Sequence, residues 1–148
     1  MIYFDDIVLN QPLVSRPFLV EKADAIAFAK EWDPQPFHID ETAAAQWPLG
    51  LTASGLHTIA IAVKLGNELS SEPVAVIAGL GWDEVRLKTP VKPGDTLVLH
   101  SWMEDKRPSQ SKPDRGIVVT RIELRNQNND IVLTYKITSM MLKNPAQK

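Results

Sequence analysis

Asp33 and His38 are the two side chains in this sequence whose types and spacing best suit proton transfer, and they stand five residues apart in Asp33-Pro34-Gln35-Pro36-Phe37-His38-Ile39-Asp40. An aspartate side chain ordinarily titrates near 3.9 and a histidine near 6.5, so at neutral pH the first is ionised and the second is mostly neutral. Held close together, such a pair can grip one water, take a proton from it and return one to carbon, which is general acid–base work. A spacing of five does not place two side chains on one face of a helix. The prolines do the positioning instead. Pro34 biases Asp33 away from helical geometry, and Pro36 does the same to Gln35. A helix arriving from upstream should end at or near Asp33, leaving the acid and the base on a rigid, irregular segment. The plainer alternative is a capped helix end and a loop histidine in a structural hydrogen bond, and the residue types alone leave both readings open.

Ser54 and Gly55 form the second place where chemistry is legible. They open a long apolar stretch, about Ser54 to Leu69, in which Ser54 is a credible N-cap. A helix start offers unpaired backbone N–H groups and the positive end of the dipole. A carbonyl placed against the Gly55 N–H would be polarised, and glycine permits its close approach; the alternative is a glycine needed only for the turn. Gln35 reads either as a hydrogen-bond donor to substrate or to Asp33, or as a polar loop residue. Asp40 reads as the cap of a short helix carrying Glu41 in its first turn. His57 lies three residues after Ser54, but nothing like G-x-S-x-G surrounds that serine, so His57 reads as a packed or interface residue. His100 alternates with apolar residues and reads as structural. Three histidines without ligand spacing, in a chain with no cysteine, give no metal site, disulfide framework or thiolate nucleophile.

The elements that must position these residues follow from periodicity. A helix from near Lys22 has an apolar face in Ala25, Ile26, Phe28, Ala29 and Trp32 and carries Asp33 to its place. In the stretch after Ser54, Leu56, Ile59, Ala60 and Val63 form one stripe, and Ile61, Ala62 and Leu65 spread the apolar surface further. That helix is expected to be buried on most sides, wrapped by a curved sheet. The rest is rich in strands: an apolar run at Val74–Leu80, a strand at Val85–Thr89, a Pro/Gly turn at Pro90–Asp95, and a strand at Leu97–Met103. Glu104–Gly116 is expected to be a mobile polar loop. Ile117–Arg125 alternates, with Val118, Thr120, Ile122 and Leu124 on one face, as a half-buried antiparallel strand should. A turn at Asn126–Asp130 leads to a last strand at Ile131–Leu142, and the tail to Lys148 is expected to fray. One buried helix followed by about four antiparallel strands is an α+β pattern, in one domain covering residues 1–148.

Whole-chain properties exclude several functions. A net charge of −2 gives no electrostatic case for nucleic acid or an anionic membrane. The acidic N-terminus lacks the basic and apolar regions of a secretory signal, and no apolar run reaches the roughly 18 residues of a membrane span. A soluble cytoplasmic protein is the expectation.

The string Asp33-Pro-Gln-Pro-Phe-His38-Ile-Asp40 resembles the hydratase motif of the MaoC-like, (R)-specific enoyl-CoA hydratases, usually D-x-N-P-x-H-x-D. Gly50-Leu-Thr-Ala-Ser-Gly55 resembles that family's second element, and Val85 to Leu97 its strand-turn-strand passage. Gln35 stands where asparagine is usual, and Ser54 where histidine often precedes the glycine. The resemblance implies a hotdog fold, a curved antiparallel sheet wrapped around a long central helix, with two hotdogs paired edge to edge and active sites at the dimer interface. It implies catalysis by Asp33 and His38, with Gly55, Ser54 and Gln35 as oxyanion or substrate-binding residues. No metal or separate cofactor is implied, since coenzyme A or an acyl carrier arrives as part of the thioester substrate. Lys106, Arg107, Lys112 and Arg115 read as a solvated loop, with contact to a coenzyme A phosphate as the alternative. The expected reaction is addition of water to a trans-2-enoyl thioester, or its removal from a 3-hydroxyacyl thioester. The rivals are a hotdog acyl-CoA thioesterase and a non-catalytic acyl-thioester binding protein.

Overall fold

The structure, a computed structural model, describes residues 1–147. A 3-10 turn at Phe4–Asp6 precedes two short strands, β1 (Leu13–Val14) and β2 (Phe18–Leu19), and then three helices, α1 (Lys22–Trp32), α2 (Pro36–Ile39) and α3 (Glu41–Ala44). The long helix α4 (Gly55–Asn67) follows, and after it four long strands: β3 (Val76–Leu87), β4 (Thr96–Pro108), β5 (Arg115–Arg125) and β6 (Ile131–Leu142). All pairings between these strands are antiparallel, in the order β1-β4-β5-β6-β3, with β2 also on β4. This is the hotdog arrangement.

Alternation places Ile122 and Leu124 of β5, with Leu133 and Tyr135 of β6, against Ile61, Ala62 and Leu65 of α4 in one buried cluster. Burial of the Tyr135 phenol pushes its pKa up to about 12. Asp33 ends α1, its own N–H closing the last turn on the Ala29 carbonyl at 2.8 Å. Asp40 caps α3 as its type predicts, accepting from the N–H groups of Thr42 and Ala43.

Four expectations are corrected. First, the segment after Asp33 is not irregular throughout: Pro36 occupies the first turn of α2, where its missing N–H costs nothing, and His38 rides on that turn. Second, Val74–Leu80 and Val85–Thr89 are not separate strands. β3 runs through the intervening residues, with three register shifts along β6 and Glu84 at φ 54° absorbing the irregularity. Third, most of Glu104–Gly116 is not loop. Glu104–Pro108 extends β4 and pairs with β5 out to Pro108↔Gly116, because ladder hydrogen bonds require only backbone and tolerate polar side chains on a wet face. Lys106 also pins the N-terminal segment, donating to the Phe4 and Ile7 carbonyls at 3.4 and 2.8 Å. Fourth, α4 is not buried on most sides. Leu56 and Val63 remain 53% and 39% exposed, because within one chain the sheet covers only the side bearing Thr58, Ile61, Ala62 and Leu65.

Candidate active site

The site is assembled from the end of α1, the turn of α2 and the start of α4. His38 Nδ1 lies 2.6 Å from the Thr52 carbonyl oxygen. A carbonyl only accepts, so the neutral ring carries its proton on Nδ1 and leaves Nε2 as a bare lone pair. That Nε2 stands 3.6 Å from Asp33 Oδ2. The gap is too long for a direct hydrogen bond and allows one water to touch both atoms. His38 is 11% exposed at its side chain and Asp33 28%, so the pair is sheltered but reachable.

Ser54 is fully buried, and its hydroxyl has two jobs. It donates to Asp33 Oδ2 at 2.6 Å and accepts from the Leu56 N–H at 3.2 Å. The residue that caps α4 therefore also fixes the carboxylate. Gly55 follows at the first helical position, where its N–H has no intrahelical partner. Beside it lies a cavity of about 140 Å³ whose walls include Gly55, Thr58, Leu87, Lys88 and Val132. A Cβ on Gly55 would press into Leu87 Cδ1, so the glycine lets this wall close tightly.

Of the residues singled out from sequence, Asp33, His38 and Ser54 come together and Gly55 adjoins them. Gln35 does not join them through its side chain: it is exposed and contributes backbone, its carbonyl accepting from the His38 N–H at 2.9 Å. Thr52 was missed. Its shorter contact is made by a main-chain oxygen, for which side-chain type gives no signal, with its hydroxyl 3.3 Å from the same ring nitrogen.

His57 packs face to face on Phe28, ring centres 4.6 Å apart, and among the described residues it shares no hydrogen bond with the acid–base pair. Its Nδ1 is buried without a partner. Burial lowers its pKa, with Asp24 opposing. His100, stacked on Trp102, is lowered by burial and by Arg125, with Glu123 opposing. A histidine whose folded pKa lies below its unfolded value contributes stability above about 6.5 that is lost as the pH falls toward the folded value. The melting temperature should therefore drop as the pH is lowered from 7 to 5. A His57→Gln, His100→Gln variant followed by circular dichroism should drop less over that interval; an unchanged slope would refute this assignment.

No helix of the described residues is long and apolar enough to cross a membrane, and no group of three metal-binding side chains occurs among them.

Known proteins share this fold. A MaoC-like dehydratase from Rhodospirillum rubrum superposes with a TM-score of 0.88 at 36% identity, covering 98% of this chain and 99% of that one. The R-hydratase PhaJ1 of Pseudomonas aeruginosa shares the fold at a TM-score of 0.76 and 23% identity, over 97% of this chain and 87% of that one. The uncharacterized protein YdeM of Bacillus subtilis is 32% identical over 124 residues, 83% of this chain and 86% of its own. The MaoC-like domain itself matches residues 7–124. On that match, spanning the acid–base pair, the helix start and most of the sheet, the chain belongs to the MaoC-like dehydratase family.

Proposed function

We propose that this protein adds water to a trans-2-enoyl thioester, and removes it from the corresponding 3-hydroxyacyl thioester, with Asp33 and His38 as the catalytic pair. The observation that carries this reading is the lock on His38: the Thr52 carbonyl takes Nδ1, so the free lone pair on Nε2 faces Asp33 Oδ2 across a gap of 3.6 Å. A water held there gives its proton to Nε2 as its oxygen bonds to the β-carbon. The electrons of the double bond move to the thioester oxygen, and the enolate so formed is stabilised by the Gly55 N–H. Return of a proton from the pair to the α-carbon completes the addition. Asp33, steadied by Ser54, holds the water's second proton and stabilises the transient imidazolium. Thioesters of coenzyme A or of an acyl carrier would be the substrates.

The test is ultraviolet absorbance of the conjugated thioester, which hydration destroys. Enoyl-CoAs of several chain lengths should lose absorbance without releasing free thiol. Absorbance loss accompanied by release of an equal amount of free thiol would make the protein a thioesterase, and no turnover of any chain length would remove the catalytic reading.

The proposed working unit is a homodimer at least. Val76, Ile77, Leu80 and Trp82 are between 41% and 51% exposed on β3, an edge strand, and Leu56 and Val63 are open on α4. A second copy would cover apolar surface of this kind and supply the missing wall for the acyl chain. Sedimentation at micromolar concentration should give a species of at least twice 16.5 kDa; a 16.5 kDa species alone would refute the dimer.

A further inference from the structure

Ile122, Leu124, Leu133 and Tyr135 point into the core, so the alternate residues of the same strands, Arg121, Glu123, Thr134 and Lys136, face the opposite side of the sheet. There they line a cleft of about 380 Å³, together with Tyr135, with Glu84 and Arg86 of β3, and with Lys88 just beyond its end. The lining carries four bases and two acids, an excess of positive charge in a chain whose net charge is −2.

The charges are not all neutralised within the fold. Lys136 sits 2.9 Å from Glu104 and 3.7 Å from Glu84. Arg121 pairs with Glu123 at 2.7 Å, and Arg125 pairs with the same carboxylate. Arg86 donates only to its neighbour's carbonyl, that of Val85, at 2.9 Å. Neither Arg86 nor Lys88 has a carboxylate partner among the described residues. The Thr134 hydroxyl, on the residue that pairs with Arg86, is a further donor at this place.

The position of these cations is informative. Lys88 lines both this cleft and the cavity beside Gly55. Leu87, between Arg86 and Lys88, is the residue that closes against Gly55. The two free bases therefore flank Leu87, a residue of the wall of the thioester cavity, and Lys88 lines that cavity as well. A substrate whose thioester lies at Gly55 and whose carrier arm passes the end of β3 would bring an anion to them.

We propose that Arg86 and Lys88, with Thr134, bind a phosphate on the pantetheine arm of the acyl carrier. This rests on the thioester reading above and assigns the carrier's charge to a cleft on the outer face of the sheet. Guanidinium and ammonium groups suit phosphate oxygens, the first in a bidentate fork. The phosphate belongs either to coenzyme A or to the phosphopantetheine of a carrier protein.

Two measurements test it. In the first, hydration of crotonyl-CoA, crotonyl-4′-phosphopantetheine and crotonyl-pantetheine is compared in wild type and in Arg86→Ala, Lys88→Ala. The ratio of kcat/KM for crotonyl-CoA to that for crotonyl-pantetheine should fall about tenfold or more in the double variant, the loss of hydrogen bonds to a charged group. The control Lys112→Ala, in the exposed loop between β4 and β5, should keep the wild-type ratio. An equal fall for crotonyl-4′-phosphopantetheine assigns the site to the phosphate next to pantetheine, as proposed; a fall for crotonyl-CoA alone places it at the nucleotide phosphates and overturns the proposal. An unchanged ratio for both overturns the proposal. The second is calorimetric binding of free coenzyme A, which needs no turnover. Wild type should bind it and the double variant should bind it about tenfold or more weakly. Equal binding by both, or none by wild type, overturns the proposal. An inactive wild type whose coenzyme A binding is lost in the variant would retain the cleft and reject the hydration chemistry.

Discussion

Asp33→Asn is expected to slow hydration of a short enoyl-CoA by about 10²- to 10⁴-fold while the protein stays folded. Asparagine keeps the shape and still offers an oxygen to the Ser54 hydroxyl, which lies 2.6 Å from Asp33 Oδ2, but it cannot carry the negative charge that steadies an imidazolium. His38→Gln should lose as much, because it removes the lone pair on Nε2 while keeping an amide donor for the Thr52 carbonyl. The two groups would share one water, so the double variant should be barely worse than either single one. The loss should fall in kcat, since neither side chain reaches the distant parts of a thioester. His57→Gln, which replaces a ring stacked on Phe28 that shares no hydrogen bond with the pair among the described residues, should keep most activity. Steady-state kinetics with thermal melts alongside decide it. Folded Asp33→Asn and His38→Gln proteins turning over at near wild-type rates would refute the assignment.

Leu65→Ala should destabilise the fold by about 3–5 kcal/mol. Leu65 is 0% exposed on α4, in the cluster that holds Leu99, Leu124 and Leu133 from three strands of the sheet. Truncation would leave a cavity lined by side chains anchored in a continuous antiparallel ladder, which can collapse only partly. For a chain of this size the midpoint of thermal unfolding should fall on the order of 10 °C. Lys64→Ala, one residue earlier, removes only an exposed, solvent-screened pair with Glu68 at 3.1 Å and should leave the unfolding midpoint nearly unchanged. Denaturant unfolding of the two variants compares them. A Leu65→Ala loss below about 1 kcal/mol would mean that the sheet does not close on this helix as described.

The contrast between these residues explains what the sequence made legible. Asp33, His38, Asp40 and Ser54 were readable because local chemistry fixes their geometry: prolines restrict the backbone, and small polar side chains cap helix starts. The strands Ile117–Arg125 and Ile131–Leu142 were readable because alternation is a local pattern, and β6 begins and ends as expected. What escaped depends on the rest of the chain. The Thr52 contribution is a carbonyl, and every residue has one. The outer half of β4 is polar because it faces water, so hydropathy reads it as loop although, apart from the shift between Met103 and Asp105, its backbone pairs with β5 out to Pro108. The open face of α4 was misread because apolar side chains record that a surface becomes covered, not whether the same chain covers it.

The irregularity of β3 bears on what happens when chains meet in the wrong way. An exposed apolar edge strand is a template for cross-β growth, and a long, flat one is the most dangerous kind. This strand is neither regular nor left open in the proposed dimer. Three register shifts break its ladder, Gly79 and Gly81 fall within the shifted stretch, and Glu84 turns through a left-handed conformation at φ 54°. At the opposite side of the sheet, β1 and β2 are two residues long each, too short to recruit another strand. Pairing β3 with a second copy would bury that edge; the outer half of β4, which β1 and β2 leave uncovered beyond Ser101, carries Glu104, Asp105, Lys106 and Arg107 and a register shift between Met103 and Asp105. Resistance to fibril formation would then belong to the assembled pair, and the isolated chain would be the species at risk.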